Sequence, residues 1–383
     1  MIKLSEPFFF GNEISNLKKI LKDKWISSGG KAVKIFEKKF ANFTVGKFNL
    51  ATVNCTSALQ LAIRLLHPKK DEEILIPSIT FIATVNSALY NNCKPVFLDC
   101  DDDLLLNKKN FYSFVETNTY SKNGFCFNKK TKKKILAIII VNTFGNLFDV
   151  DDNFTKFCKK KNIKIIEDAA ESLGSYSLDK KRKNKIYLSC YSLNGNKLIT
   201  SGGGGVISTK DRKKYREAIY LASQAKKDPV QFIHDDVGYN MLLSNLHAAI
   251  GIAQLKHINK VLKKKREINF YYKTEINKIK GLKILASPNK CKSNYWLNVL
   301  IVDKRKYGLS KNQIIKKFRL KGIETRSVWY PNHLQKPFKK FQNFEIKNSS
   351  KIFSSCLCLP SSFGLKKGDQ KKIIKLLLNK FLD

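Results

Sequence analysis

The sequence predicts an α/β protein in which a large domain, built on a buried and mostly parallel sheet covered by helices, precedes a smaller C-terminal α+β domain. Three observations predict it. Short, almost wholly apolar segments such as Ile135-Leu-Ala-Ile-Ile-Ile-Val141 alternate with amphipathic ones, the pattern of strands covered on both faces. The chain has 383 residues, more than one hydrophobic core usually serves, so two domains are expected. Finally, the polar residues suited to chemistry (Thr56, Ser57, Asn142, Asp168 and the stretch around Lys197) fall just after the apolar strands. That is the edge where open α/β sheets bind ligands.

Taken in order, residues 12–23 carry apolar positions 14, 17, 20 and 21 and read as an amphipathic helix, which Trp25-Ile-Ser-Ser-Gly-Gly30 interrupts with a glycine turn. A second helix is expected over 34–43, with Phe36, Phe40 and Phe43 on one face. A strand at 49–53 then runs into an apolar helix over 54–66, whose first turn holds Thr56 and Ser57. Strand, short turn and helix start together make an anion site, because free N–H groups and the positive end of the helix dipole converge there. Ordinary capping by the same hydroxyls is the competing reading. The pattern continues with a strand at 73–77, a helix at 79–90 and a strand at 95–99. A lysine-rich variable region then runs to about residue 133, followed by the strand at 135–141, a helix at 151–161 and a strand at 164–168. After Lys197 come four glycines, 202–205, and a short strand at Val206-Ile207. A long helical region is expected next, running through Gly238-Tyr-Asn240 and 246–262 to about 276. The remainder reads as a strand at 297–302, a helix at 311–320, a Gly322 turn, a further strand and a last helix near 368–382. The domains are placed at 1–255 and 256–383, and no internal repeat is evident.

Composition narrows the function. Hydrophobic residues make up 43% of the chain, which argues against wholesale disorder. No apolar run approaches a membrane span and the N-terminus lacks a signal pattern, so a cytoplasmic protein without membrane contact is expected. The nine cysteines are odd in number and scattered, which suits buried small hydrophobes better than disulfides, and Cys356-x-Cys358 lacks metal-ligand company, so no metal is expected. The net charge of +41 raises the question of nucleic acid. The lysines are spread over the whole chain, however, alongside many Asn and Ile, as in A/T-rich coding sequences, so no nucleic-acid partner is expected.

Lys197 and Asp168 carry the chemical argument. A lysine beside a glycine run, in partly dry surroundings, can lose its proton and attack a carbonyl; a plain surface lysine is the alternative. Asp168 ends an apolar strand, where it could cap a following helix or pair with a protonated ring nitrogen. Together with a phosphate on the Thr56/Ser57 helix start, these features suit one cofactor, pyridoxal 5′-phosphate.

The same residues lie in segments that resemble the DegT/DnrJ/StrS family of sugar aminotransferases. The matching pieces are Trp25-Ile-Ser-Ser-Gly-Gly30, Asn54-Cys-Thr-Ser-Ala-Leu59, Pro77-Ser-Ile-Thr-Phe-Ile-Ala-Thr84, Asn142-Thr-Phe-Gly-Asn146, Glu167-Asp-Ala-Ala-Glu-Ser-Leu-Gly174, Tyr191-Ser-Leu-Asn-Gly-Asn-Lys197, Gly238-Tyr-Asn240 and Ala248-Ala-Ile-Gly-Ile-Ala-Gln-Leu255, with Leu359-Pro360 near the end. They span nearly the whole chain in order. The resemblance implies pyridoxal-phosphate fold type I (aspartate-aminotransferase-like) with a seven-stranded sheet. It also implies an aminotransferase that moves an amino group from glutamate to a nucleotide-linked 4-keto-6-deoxy sugar for cell-surface glycans. Ser-Leu-Asn-Gly-Asn-Lys197, Gly322-Ile-Glu-Thr-Arg326 and Trp329 look most similar to the LegC-type branch.

By the same resemblance Lys197 would form the Schiff base and move the proton between substrate carbon and cofactor C4′. Asp168 would keep the pyridine nitrogen protonated, Thr56, Ser57 and Ser192 would bind the phosphate, Phe81 would stack on the ring, and Glu171 would lie near the ring hydroxyl. Asn240 would reach the phosphate of the other subunit, implying a homodimer with shared sites. Arg326, Trp329 and His333 would line the sugar-nucleotide pocket, with ordinary packing as their alternative. The chain departs from the family in having Cys55-Thr56 for the usual Gly-Thr, and Met241-Leu242 for the usual Tyr-Arg after Asn240. A pyridoxal-phosphate-dependent sugar dehydratase and a non-catalytic regulatory relative are the remaining readings.

Overall fold

The structure is a computed structural model that describes residues 1–44, 46–228 and 230–381. Its centre is a seven-stranded sheet: β1 (Phe48–Thr52), β2 (Glu73–Pro77), β3 (Lys94–Leu98), β4 (Ile135–Val141), β5 (Lys164–Asp168), β6 (Leu188–Ser192) and β7 (Gly205–Thr209). Their order across the sheet is β1-β7-β6-β5-β4-β2-β3. Neighbours from β6 to β3 run parallel, and β7 is antiparallel to both β1 and β6. The strands are nearly continuous apolar runs because both faces are covered. In β4 and β5, Ile139, Val141 and Ile166 pack on one side with Ala58, Leu61 and Ala62 of the helix Cys55–Arg64. Their neighbours Ile138, Ile140 and Ile165 pack on the other with Phe111, Phe114 and Phe154. Successive side chains point to opposite faces of a strand, so one apolar run feeds both layers.

A second, four-stranded antiparallel sheet is formed by β8 (Leu282–Ile284), β9 (Asn298–Val302), β10 (Arg326–Ser327) and β11 (Cys356–Leu359), in the order β8-β9-β11-β10. Helices Ile258–Ile276, Lys311–Leu320 and Lys367–Leu378 pack beside it. Of the expected last helix, Leu382 lies outside the described residues. The start of the chain joins this region, where Ile2 bridges Ile323 and the Leu4 carbonyl accepts from the Ser361 N–H.

Three expectations need correction. The lysine-rich region is ordered: it holds the helix Lys108–Thr117 and the hairpin Thr119–Lys122/Phe125–Asn128, whose buried apolar members are Phe111, Phe114, Val115 and Cys126. Lysines flank these apolar positions and polar residues such as Ser113, Glu116 and Thr117 lie among them, so the core-facing stripe is short. Secondly, the region after the glycines is not one long helix. A helix ends at Ala222, a hairpin Lys226–Asp228/Ile233–His234 follows, and Gly238–Leu243 is extended. Asn240 bridges Ser223 and Leu242 bridges Thr52. Gly238 explains part of this, because a Cβ there would lie 2.2 Å from the Ala225 nitrogen. Third, the helix expected from residue 79 begins only at Ile82, capped by Phe81; the segment 188–192, for which no element is expected, is a sheet strand, β6.

Candidate active site

The carboxyl ends of β1, β4, β5 and β6 meet at one edge of the sheet, because Thr52 and Ser192 both face Gly205 in register, and Asp168 faces both Val141 and Cys190. This register gathers the sequence-predicted residues. From β1 the chain passes through Asn54, whose side-chain oxygen accepts from the Ser57 N–H at 2.8 Å, into the helix Cys55–Arg64. Thr56 and Ser57 occupy its first turn and are half-buried. Cys55, which replaces the family glycine, is buried with ordinary helical placement and leaves the turn unstrained. The four glycines do not bind an anion themselves. A Cβ on Gly205 would lie 2.5 Å from the Asn54 carbonyl, and the Gly204 N–H donates to the Val53 carbonyl at 2.8 Å. They are the close-packed turn that presses β7 against the helix start. Ser192 is buried at the end of β6, beside them.

Asp168 is 5% exposed at the end of β5. No helix follows it, which removes the capping alternative. Its oxygens accept from Thr84 Oγ1 at 2.6 Å and from the Ala170 N–H at 3.1 Å. Burial pushes its carboxyl up from the ordinary range, and Thr84, Ala170 and Lys197 only partly oppose this. A buried carboxylate with neutral donors alone at hydrogen-bonding distance suits a cationic partner delivered by a ligand, as a protonated pyridine nitrogen is. Glu171 is equally buried. It accepts from the Phe144 N–H at 2.7 Å and lies 3.7 Å from Lys197 Nζ. Burial raises its carboxyl to about 7, against the pull of Lys197.

Lys197 points into the same site with its side chain 13% exposed. Its Nζ lies 3.8 Å from the centre of the Trp296 ring, a cation–π contact. The Trp296 indole N–H donates to the Asn196 carbonyl at 2.7 Å, and Trp296 stacks loosely on Phe144 and Trp329 (6.1 and 6.4 Å between centroids). Phe144 is held at φ 54°, the left-handed region, which aims its N–H at Glu171.

Phe81 is 52% exposed at the start of the helix Ile82–Leu89, 5.2 Å from Trp329 edge to face. The second sheet's loops reach this point through Asn332, whose side-chain amide donates to the Thr80 carbonyl at 2.7 Å. His333 Nδ1 lies 2.7 Å from Ser78 Oγ, and burial lowers its basicity. Trp329 therefore joins the cluster, whereas His333 is placed against Ser78, just after β2. Arg326 is exposed and paired with Glu324 at 2.8 Å, away from Lys197's immediate contacts. Asn240 is exposed at the surface of its own chain, and Met241 beside it is buried in the core. Thr84, Trp296 and Phe144 are the functional neighbours that residue patterns do not single out. Thr84 and Phe144 lie within the quoted motifs, whereas Trp296 has no local signal at all.

These residues fit pyridoxal phosphate: a lysine amine, a buried carboxylate in need of a cation and a helix start for an anion converge on one pocket. Known proteins agree with the fold and the chemistry. The chain is 32% identical to the putative pyridoxal phosphate-dependent aminotransferase EpsN of Bacillus subtilis, over 99% of this chain and 96% of that protein. It is 30% identical to the GDP-perosamine synthase of Escherichia coli O157:H7, over 90% and 89% of the two chains. The structure of Helicobacter pylori PseC, an aminotransferase of pseudoaminic acid biosynthesis, superposes with a TM-score of 0.88 at 22% identity, covering 99% of both chains. The sequence pattern of the DegT/DnrJ/EryC1/StrS aminotransferase family matches residues 10–378. With that pattern spanning nearly the whole chain over this constellation, the protein belongs to the DegT/DnrJ/EryC1/StrS aminotransferase family and is a pyridoxal-phosphate-dependent enzyme.

Proposed function

We propose that the enzyme transfers an amino group from glutamate to the keto carbon of a nucleotide-linked 4-keto-6-deoxy sugar, in the synthesis of amino sugars for cell-surface glycans. The observation that carries this reading is the Lys197 amine held between a buried carboxyl, Glu171, and an indole face, beside Asp168. Relatives that include GDP-perosamine synthases and UDP-amino-sugar transaminases support the substrate class.

When bound, pyridoxal phosphate supplies an electron sink conjugated to the carbon that gains or loses a proton. Lys197 Nζ would hold the cofactor at its aldehyde carbon, and the same amine would move the proton between substrate carbon and C4′. The Asp168 carboxylate holds a proton on the ring nitrogen, oriented by Thr84. Thr56, Ser57 and Ser192 bind the phosphate at the helix start. Glu171 faces the ring hydroxyl, and Phe81 and Trp329 wall the ring and exclude water. His333 would face the sugar nucleotide, and Arg326 would do so only on leaving its pair with Glu324.

A homodimer completes the site in this reading. The exposed apolar residues Trp25, Ile26, Val53, Phe232 and Val237 suit a face covered by a second copy, from which Asn240 would reach the neighbouring phosphate. No helix among the described residues is long and apolar enough to cross a membrane, in keeping with a cytoplasmic enzyme.

The purified protein is expected to be yellow, and glutamate is expected to bleach its absorbance. A panel of UDP-, GDP- and dTDP-linked keto sugars then identifies the acceptor. Lys197→Ala should lower turnover by at least about a thousandfold. Turnover that survives this substitution, or a protein whose colour is indifferent to glutamate, defeats the proposal.

A further inference from the structure

Lys265 lies on the helix Ile258–Ile276 and is 2% exposed. Its ammonium donates to the Trp296 carbonyl at 3.0 Å and to the Ser361 carbonyl. Burial pushes its amine down to about 7, and no carboxylate among the described residues offsets that. Such an ammonium stabilises the fold less than an apolar side chain of the same length would. Its position therefore points to a role other than packing.

What it holds is the residue beneath Lys197. Trp296 is fixed at three points: its backbone N–H by Asn294 Oδ1 at 2.8 Å, its carbonyl by Lys265, and its indole N–H by the carbonyl of Asn196, the residue before Lys197. That same Asn196 carbonyl accepts from Ser5 Oγ at 2.9 Å. The indole face then lies 3.8 Å from Lys197 Nζ. Lys197 is a flexible side chain that must leave the cofactor and return to it in each catalytic cycle. A fixed aromatic face under its amine narrows the positions to which it can return.

We infer that Lys265 is a positioning residue for Lys197: by tying the Trp296 carbonyl to that of Ser361, it fixes the indole on which the Lys197 amine rests. The inference depends on Lys197 being the residue that bonds the cofactor. Lys265 touches neither cofactor nor substrate and acts through Trp296.

The test uses the full-length apoprotein and pyridoxal phosphate, following the absorbance of the bound cofactor as it forms. In Lys265→Met, which keeps the length and removes the donors, the protein should stay folded by circular dichroism. The saturating rate of cofactor bonding should fall about tenfold, while the half-saturating concentration stays within about twofold of wild type. Lys265→Arg should fall between the two. Trp296→Leu should show the same loss, and the double variant should be no slower than Trp296→Leu alone.

A Lys265→Met protein that bonds the cofactor at the wild-type rate overturns the inference, as does a double variant whose losses multiply. If Lys265→Met fails to fold, Lys265→Arg decides: slowed bonding at unchanged melting temperature supports the role, and an unchanged rate refutes it. Lys197→Ala separates the two readings. Should it still bond the cofactor with wild-type absorbance, the assignment of Lys197 is at fault and the inference falls with it; if it cannot bond the cofactor, the Lys265 variants decide the inference by themselves.

Discussion

Glu167 and Asp168 are adjacent carboxylates at the end of one strand, both 5% exposed or less, yet their environments push them in opposite directions. They point to opposite faces of the sheet. Burial is the largest single influence on Glu167 as well and raises it, but Arg182 at 2.6 Å, Ser189 at 2.6 Å and Asn142 at 2.7 Å together outweigh burial, and its carboxyl falls below the usual range. Asp168 has only neutral donors at hydrogen-bonding distance, with Lys197 further off, and burial wins. Equal burial with unequal pairing separates a finished structural ion pair from a carboxylate whose partner must come from outside.

Exchanging each carboxylate for its amide breaks this symmetry, and the effects should have opposite characters. Asp168→Asn should lower turnover by about a thousandfold, while the melting temperature of the apoprotein holds or rises, since an underpaired buried charge is removed. Glu167→Gln should do the reverse. It leaves Arg182 buried without its carboxylate, at a cost of about 3–5 kcal/mol, and the fraction that remains folded should turn over at a near wild-type rate. Calorimetry and turnover per bound cofactor, measured on both variants, check the pair; matching phenotypes would contradict the contrast.

A smaller effect is expected from pH. The folded-state carboxyl of Glu171 is raised from 4.5 to about 7, so the native apoprotein binds a proton there that the unfolded chain has released. The associated stability is full below about pH 4.5 and disappears as pH rises through 7. Glu167, lowered by its partners, contributes stability of the other sign, lost as pH falls through its folded value. Urea midpoints of the apoprotein between pH 5 and 8 should therefore decline less steeply in Glu171→Gln than in wild type. A slope untouched by the substitution would show that Glu171 does not hold that proton.

The smallest change is expected at Thr84. Thr84→Val keeps the shape and removes the donor to Asp168, and should lower turnover by roughly tenfold, consistent with a hydrogen bond to a charged group. It should leave the Glu167–Arg182 pair intact, so a variant that loses stability like Glu167→Gln would blur the distinction between the two faces.

Much of this site was legible in the sequence, but unevenly. Thr56, Ser57, Asp168, Ser192 and Lys197 stand at strand ends or helix starts, and the sheet register brings those ends together. Glu171 follows Asp168 by three residues and shares its pocket. Arg326 was equally prominent in its motif, but in the structure it pairs with Glu324 at the surface. The lysine-rich region misled for a physical reason: the buried face of the helix Lys108–Thr117 is only Phe111, Phe114 and Val115, a stripe too short to stand out among the polar and lysine-rich segments around it. Gly238–Leu243 misled because its apolar residues suit a helix, whereas in the structure they pair across the chain, Asn240 with Ser223 and Leu242 with Thr52.

By itself the sequence determined the alternation of strands and helices, the buried parallel sheet and the family, since strand period, helix period and motif order are local properties of the chain. Tertiary structure alone decided that Thr84 orients Asp168, that Trp296 lies under Lys197 from about a hundred residues away, and that Lys265 holds Trp296. Those contacts join segments whose meeting depends on how whole layers pack, and no local spacing encodes it. The same holds for Glu167 and Asp168. Strand alternation placed them on opposite faces, and only the layers packed against those faces gave one an arginine and left the other open to a cofactor.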